Sequence, residues 1–201
     1  MIKIKENAVN TISLQDVINA VQYFSMHNKN IKCKLANEFL SHLPKDEYIV
    51  DSRVSMLKKG WFPCIPGWHF DEIMRHENGN LDIISTDFNK THYMMVIDIG
   101  TNSLTEFCAY RFTKDFLLTH NIDNYDSFNM TIYMMESPIK TCKSNTIYQF
   151  SSLDAHRGVD CKDSGWRYFI RATANHQREY LNQIRTQTQV YIPFYNINKG
   201  W

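Results

Sequence analysis

The segment Gly60-Trp-Phe-Pro-Cys-Ile-Pro-Gly-Trp-His69-Phe-Asp71 holds an imidazole and a carboxylate two residues apart. In an extended chain, residues i and i+2 point to the same side. His69 and Asp71 can therefore reach one cation together. Two prolines and two glycines restrict the backbone that presents them.

A second segment supplies a third ligand type. Thr146-Ile-Tyr-Gln-Phe-Ser-Ser-Leu-Asp-Ala-His156 begins as a strand and ends with a histidine at a turn. A polar loop follows, and Trp166-Arg167-Tyr-Phe-Ile-Arg171 opens the next strand. Arg167, Phe169 and Arg171 share one face of that strand. Two guanidiniums on an interior face require anions, because an unpaired buried charge costs several kcal/mol.

This order of His69-x-Asp71, His156, Arg167 and Arg171 resembles the iron(II)- and 2-oxoglutarate-dependent dioxygenases over roughly 54–173. The two arginines, eleven and fifteen residues after His156, are similar to the taurine dioxygenase-like branch. The resemblance implies a double-stranded β-helix, a cupin-like distorted jelly roll. It implies that His69, Asp71 and His156 are catalytic and bind Fe(II), leaving three positions open on the metal. It also implies that Arg167 binds the distal carboxylate of 2-oxoglutarate and that Arg171 faces an anionic substrate. Arg suits that carboxylate because its planar fork makes two parallel hydrogen bonds. The implied reaction consumes O2 and 2-oxoglutarate, hydroxylates a C–H bond and releases succinate and CO2. Asp71 argues against a halogenase, where a small residue leaves room for halide. The second 2-oxoglutarate anchor has no unique match, and Thr105 is the candidate. Trp68 and Trp166 flank the site, with Trp68 a candidate substrate-binding wall. The loop 72–91 fits a lid.

The elements that must position these residues read as mainly β with flanking helices. Ser13-Leu-Gln-Asp16 looks like a helix N-cap, and apolar residues at helical spacing predict helices over 14–27 and 32–43, the second stopped by Pro44. From Tyr48 the period becomes two, predicting strands at 48–56, 92–99, 104–112, 130–136, 146–151 and 166–172, with loops at 76–80 and 119–127. No helix alternates with the strands, so an antiparallel sandwich or barrel is expected, with helices outside. The organisation is one domain: a helical cover at 1–47, the β core at 48–173, and a C-terminal helix and tail at 174–201. Aromatic residues Tyr191, Phe194, Tyr195 and Trp201 are expected to pack the tail back. His92 and the methionine pairs 94–95 and 134–135 read as structural.

Composition bounds the partners. The 201 residues carry 22 Lys plus Arg against 21 Asp plus Glu, a net charge of +1. No global field draws the chain to an anionic membrane or to nucleic acid. A small-molecule or peptide substrate is therefore expected, with nucleic acid left open and the oligomeric state unreadable. Five cysteines in no regular framework, and a polar start at 1–10, read as a cytoplasmic protein with reduced thiols. GxSxG, P-loop, GxGxxG and HExxH patterns are missing. Two alternatives accompany the dioxygenase reading. One is a cupin-like metal protein without 2-oxoglutarate, an isomerase or thiol dioxygenase, which leaves Arg167 unexplained. The other is a non-catalytic jelly-roll binding module.

Overall fold

Strand 91–99 is apolar on both faces because it is covered on both. Tyr93, Met95 and Ile97 pack among helical residues, while Met94 and Val96 pack against Phe107 and Phe150. The computed structural model describes residues 1–187 and 189–192. In chain order the elements are β1 (Ile2–Glu6), α1 (Leu14–Ile18), β2 (Tyr23–Phe24), β3 (Met26–His27), α2 (Lys34–Ser41), β4 (Ile49–Leu57), β5 (Thr91–Ile99) and β6 (Thr105–Cys108). They continue with α3 (Lys114–Thr119), α4 (Tyr125–Met134), β7 (Ile139–Thr141), β8 (Thr146–Ser151), β9 (His156–Gly158), β10 (Gly165–Ala174) and β11 (Gln183–Ile184).

The protein is mainly β, and its named strand pairings are all antiparallel. A six-stranded sheet runs β1-β8-β5-β10-β4-β3, and a three-stranded sheet runs β7-β6-β9. An antiparallel bridge between His69 and His156 adds the His69 segment beside β9. Phe107 faces the large sheet, whereas its neighbour Cys108 faces the opposite way, into a cluster of Phe70, Phe112, Phe128 and Ile132. Helices thus cover both sides: α1 and α2 lie outside the large sheet, and α3 and α4 outside the small one.

Local chemistry explains the helix limits. Ser13 and Asp16 form a reciprocal capping box at the start of α1. Leu35, Ala36 and Phe39 form the buried face of α2, which ends before Pro44. The helix expected over 14–27 stops at Ile18. Beyond it, Ser25 takes a left-handed φ of 48° and donates its N–H to Asp51 at 3.0 Å, so the chain pairs as β2 and β3 instead. Three other expectations are corrected. Residues 125–134 are helical, with Asn124 capping the Ser127 N–H and with Phe128 and Ile132 buried one turn apart. That cap and spacing outweigh the β propensity of Thr131, Ile132 and Tyr133. The strand expected at 104–112 ends at Cys108. The helix expected at 174–189 does not form: Asn175 and Asn182 adopt left-handed φ of 55° and 51°, and the segment crosses the sheet edge as a strap. Its Leu181 and Asn182 N–H groups donate to Ser25 O at 3.0 and 3.1 Å.

Met94 and Met95 are buried, but Met134 is exposed. The loop 72–91 is anchored by buried Ile73, Leu81 and Ile83 rather than lying free as a lid. Tyr191 bridges to Phe62, whereas Phe194, Tyr195 and Trp201 lie outside the described residues. All five cysteines are unpaired. No helix among the described residues is long and apolar enough to cross a membrane.

Gly165 opens β10 where it meets β5. A Cβ there would press into the Ile99 carbonyl oxygen and lie 2.9 Å from Gly100 C and 3.0 Å from Thr101 N. All three are backbone atoms that cannot swing aside. Gly165→Ala is expected to cost ~1–3 kcal/mol as overpacking, read as an earlier urea midpoint. An unchanged midpoint would show that β10 can shift there freely.

Candidate metal centre

The small sheet brings the two histidines together. His69 N–H donates to His156 O at 3.0 Å, and His156 N–H returns the bond to His69 O at 3.0 Å. Gly67 permits the approach. Its φ is +106°, and a Cβ there would lie 3.1 Å from Asn129 Oδ1, which itself accepts from Trp68 N–H at 2.7 Å. Asp71 follows two residues after His69 and turns its carboxylate to the same side.

The ring orientations are set by backbone carbonyls. His69 Nδ1 lies 3.1 Å from Gly67 O, and His156 Nδ1 lies 3.0 Å from Asp154 O. A carbonyl oxygen only accepts, so Nδ1 of each ring carries the proton and Nε2 presents a lone pair. The ring centroids are 4.5 Å apart, and His156 Nε2 is 3.3 Å from Asp71 Oδ2. One ligand atom from each of His69, Asp71 and His156 lies within 4.8 Å of the other two. Burial and the neighbouring His156 push the His69 pKa down to about 4, keeping that ring neutral. Burial would raise the Asp71 carboxyl, but the Arg171 guanidinium outweighs it and holds the group well below the ordinary carboxylate range. Two imidazoles and one carboxylate form a donor set suited to a divalent transition metal.

A cavity of ≈ 240 Å³ opens beside these ligands. Arg167 and Thr105 line it. Arg167 is 5% exposed and donates to Ser103 O at 2.8 Å and to Thr105 Oγ1 at 3.4 Å. Both acceptors are neutral. Its cross-strand neighbour Asp98 is turned away, taken up by Thr101 and by the Asn102 N–H at 2.9 Å. No carboxylate among the described residues ion-pairs with this buried guanidinium, and the weaker pull of Asp98 does not offset its burial.

Arg171 differs. It lines the same cavity, but its guanidinium contacts Asp71 and lies 3.0 Å from Asp51 Oδ2. It is therefore held by two protein carboxylates rather than standing free. Trp68 is buried under the Arg157 guanidinium at 4.5 Å and lines an adjoining recess of ≈ 360 Å³ that shares His69, Cys64 and Arg53 with the first cavity. His92 is structural, held by Thr173 and Ser152 hydroxyls at 2.9 and 3.0 Å.

Sequence reasoning missed Asp51, Arg53, Arg178 and Arg185, which all line the cavity. Alternation along β4 could have flagged Asp51 and Arg53 as one face. Nothing flagged the strap residues Arg178 and Arg185, because that segment reads as a helix. Asp51 is buried between Arg171 and Arg178, the latter at 2.9 Å. Burial would raise its carboxyl, but the two guanidiniums hold it down at about 2. A lowered carboxyl pKa stabilises the fold above its unfolded value, and that stability is lost as pH falls from near 4 towards 2. Asp51→Ala is expected to destabilise by ~3–5 kcal/mol, since Arg171 then keeps only Asp71 and Arg178 only Glu72 as ion-pair partners, and to flatten acid unfolding in that window. Parallel acid melts of wild type and variant check both.

No protein-family model and no curated protein matches this chain. Among solved structures, it is similar to a crystal structure of an N-substituted L-amino acid dioxygenase from Burkholderia ambifaria AMMD, at 13% identity and TM-score 0.41. A second structure of that enzyme, in complex with alpha-KG, gives 14% identity and TM-score 0.39. Each match covers 70% of this chain and 58% of the other.

Proposed function

We propose that this protein is an Fe(II)- and 2-oxoglutarate-dependent oxygenase that hydroxylates a C–H bond. The observation that carries the reading is a buried arginine, Arg167, with no carboxylate partner, in the cavity lined by a His-Asp-His cluster. A metal protein working without a 2-oxo acid would leave that cation uncompensated. A binding module would explain neither the converging Nε2 atoms nor the cavity.

The residues present fit the metal: His69 and His156 Nε2 with one Asp71 oxygen would hold it. Bound iron(II), with O2 and 2-oxoglutarate, would supply the oxidative decarboxylation and the oxidising power for hydroxylation. The chain's own part is orientation. The Gly67 and Asp154 carbonyls aim the two imidazoles, and Arg171 orients Asp71 while balancing its charge. Arg167 would bind the distal carboxylate of the 2-oxo diacid, with the Thr105 hydroxyl beside it. Phe169, between the two arginines on β10, gives the cavity an apolar wall that limits water.

The strand order supports a double-stranded β-helix. Within the large sheet β8-β5-β10-β4 alternate in sequence with the His69 segment, β9, β6 and β7 of the small one. Such crossing between two sheets is the jelly-roll connection. The test is succinate release from 2-oxoglutarate by protein loaded anaerobically with Fe(II) and then given O2. Succinate formation that needs both iron and the intact ligand set is expected. Failure to bind either Fe(II) or 2-oxoglutarate would overturn the proposal.

A further inference from the structure

Two arginines at the cavity remain after every role above is assigned. Five guanidiniums line it: Arg53, Arg167, Arg171, Arg178 and Arg185. Three carboxylates answer them. Asp51 pairs with Arg171 and Arg178, Asp71 with Arg171, and Glu72 with Arg178 at 2.8 Å. Five against three leaves an excess of two positive charges. A divalent metal and a doubly charged 2-oxo acid would cancel one another, so their binding leaves that excess unchanged. Arg167 would hold the diacid, and Arg171 and Arg178 are held by protein carboxylates. The excess therefore falls on Arg53 and Arg185.

Their placement suits an anchor. Arg53 lies on β4 directly across from Phe169 on β10. Arg185 follows β11 on the C-terminal strap, its N–H bound to Gln22 O at 2.8 Å and its guanidinium 4.2 Å from the Phe24 ring centroid. Neither ion-pairs with a carboxylate among the described residues, and Arg185 Nε is buried without a hydrogen-bond partner. Both side chains are half-exposed, open to a ligand entering from solvent. Arg53 opposes the Arg185 charge more than Asp51 supports it, and such like charges become favourable when an oxyanion with two charges binds both.

We infer that Arg53 and Arg185 form the anion anchor of the substrate, a small molecule with a doubly charged oxyanionic head, a phosphate monoester or a dicarboxylate, on an apolar body. The assignment rests on the oxygenase reading for its charge balance. It places the substrate anion on Arg53 and Arg185 rather than on Arg171.

Calorimetry on the full chain saturated with Mn2+ and 2-oxoglutarate tests it, using phenyl phosphate, isophthalate and benzyl alcohol. At least one dianion should bind and the neutral alcohol should not. Which dianion binds tells phosphate from dicarboxylate. Arg53→Gln and Arg185→Gln should each weaken that binding by about tenfold or more, as loss of one charged hydrogen-bonding partner does, and Arg53→Lys should restore part of it. Added salt should weaken wild-type binding, a measure that needs no variant. Equal affinity in wild type and both Gln variants, salt-insensitive binding, or no binding of either dianion would overturn the anchor. If Mn2+ and 2-oxoglutarate fail to bind while dianion binding still depends on Arg53 and Arg185, the oxygenase reading falls and the anchor stands.

Discussion

Arg167→Met is expected to weaken 2-oxoglutarate binding by ~2–5 kcal/mol, the range for removing one side of a buried charge pair. That corresponds to an increase in Kd of roughly thirtyfold to several thousandfold. Titration of the Mn2+-loaded protein with 2-oxoglutarate measures it without turnover. Melting of the metal-free protein supplies the discriminating control. A structural arginine stabilises the fold through its ion pairs, but Arg167 ion-pairs with no carboxylate among the described residues and donates to Ser103 O and Thr105 Oγ1. Its burial opposes the charged form. Met fills similar volume without a charge to desolvate, so the variant should melt no lower than wild type. A large drop in melting temperature with unchanged 2-oxoglutarate affinity would make Arg167 a core residue and remove the cosubstrate assignment.

The second large effect is expected at the metal ligands. His69→Ala removes a neutral ring whose Nδ1–H is bound to Gly67 O. It should reduce Fe(II) affinity beyond the ~10–100-fold typical of losing an outer partner, and abolish succinate formation. Stability should change little by comparison with Asp71→Ala. There the metal ligand is lost as well, but Arg171 also keeps only Asp51 as a counter-charge. Breaking such a buried pair costs ~3–5 kcal/mol. The two variants should therefore agree in metal binding and differ in urea midpoint. Full Fe(II) affinity in either variant would remove the three-ligand site.

The candidate cluster was legible because its spacing is local. An i, i+2 pair on an extended chain has one geometric outcome, so His69 and Asp71 point to the same side wherever the segment lies. The same rule put Arg167 and Arg171 on one face of β10. Strands β4, β5, β8 and β10 are runs rich in β-branched and aromatic residues, and each lies within a residue or two of its expected limits. Residues 125–134 misled because Thr, Ile, Tyr and Met serve a strand or a helix equally well. The cap at Asn124 and the tertiary cluster around Phe128 decided. The strap at 176–185 was unreadable because its hydrogen bonds run to Ser25, more than 150 residues away.

Sequence by itself determined the residue types, the strand faces and the donor set, since these follow from backbone period and side-chain chemistry. Only the tertiary structure decided which charges meet. Arg167 and Arg171 are alike in sequence, four residues apart on one face. Register places Arg171 opposite Asp51 and against Asp71, while the turn at 98–102 draws Asp98 away from Arg167. One arginine is thereby paired with two protein carboxylates, and the other ion-pairs with none among the described residues. That division depends on cross-strand neighbours, which no local pattern specifies.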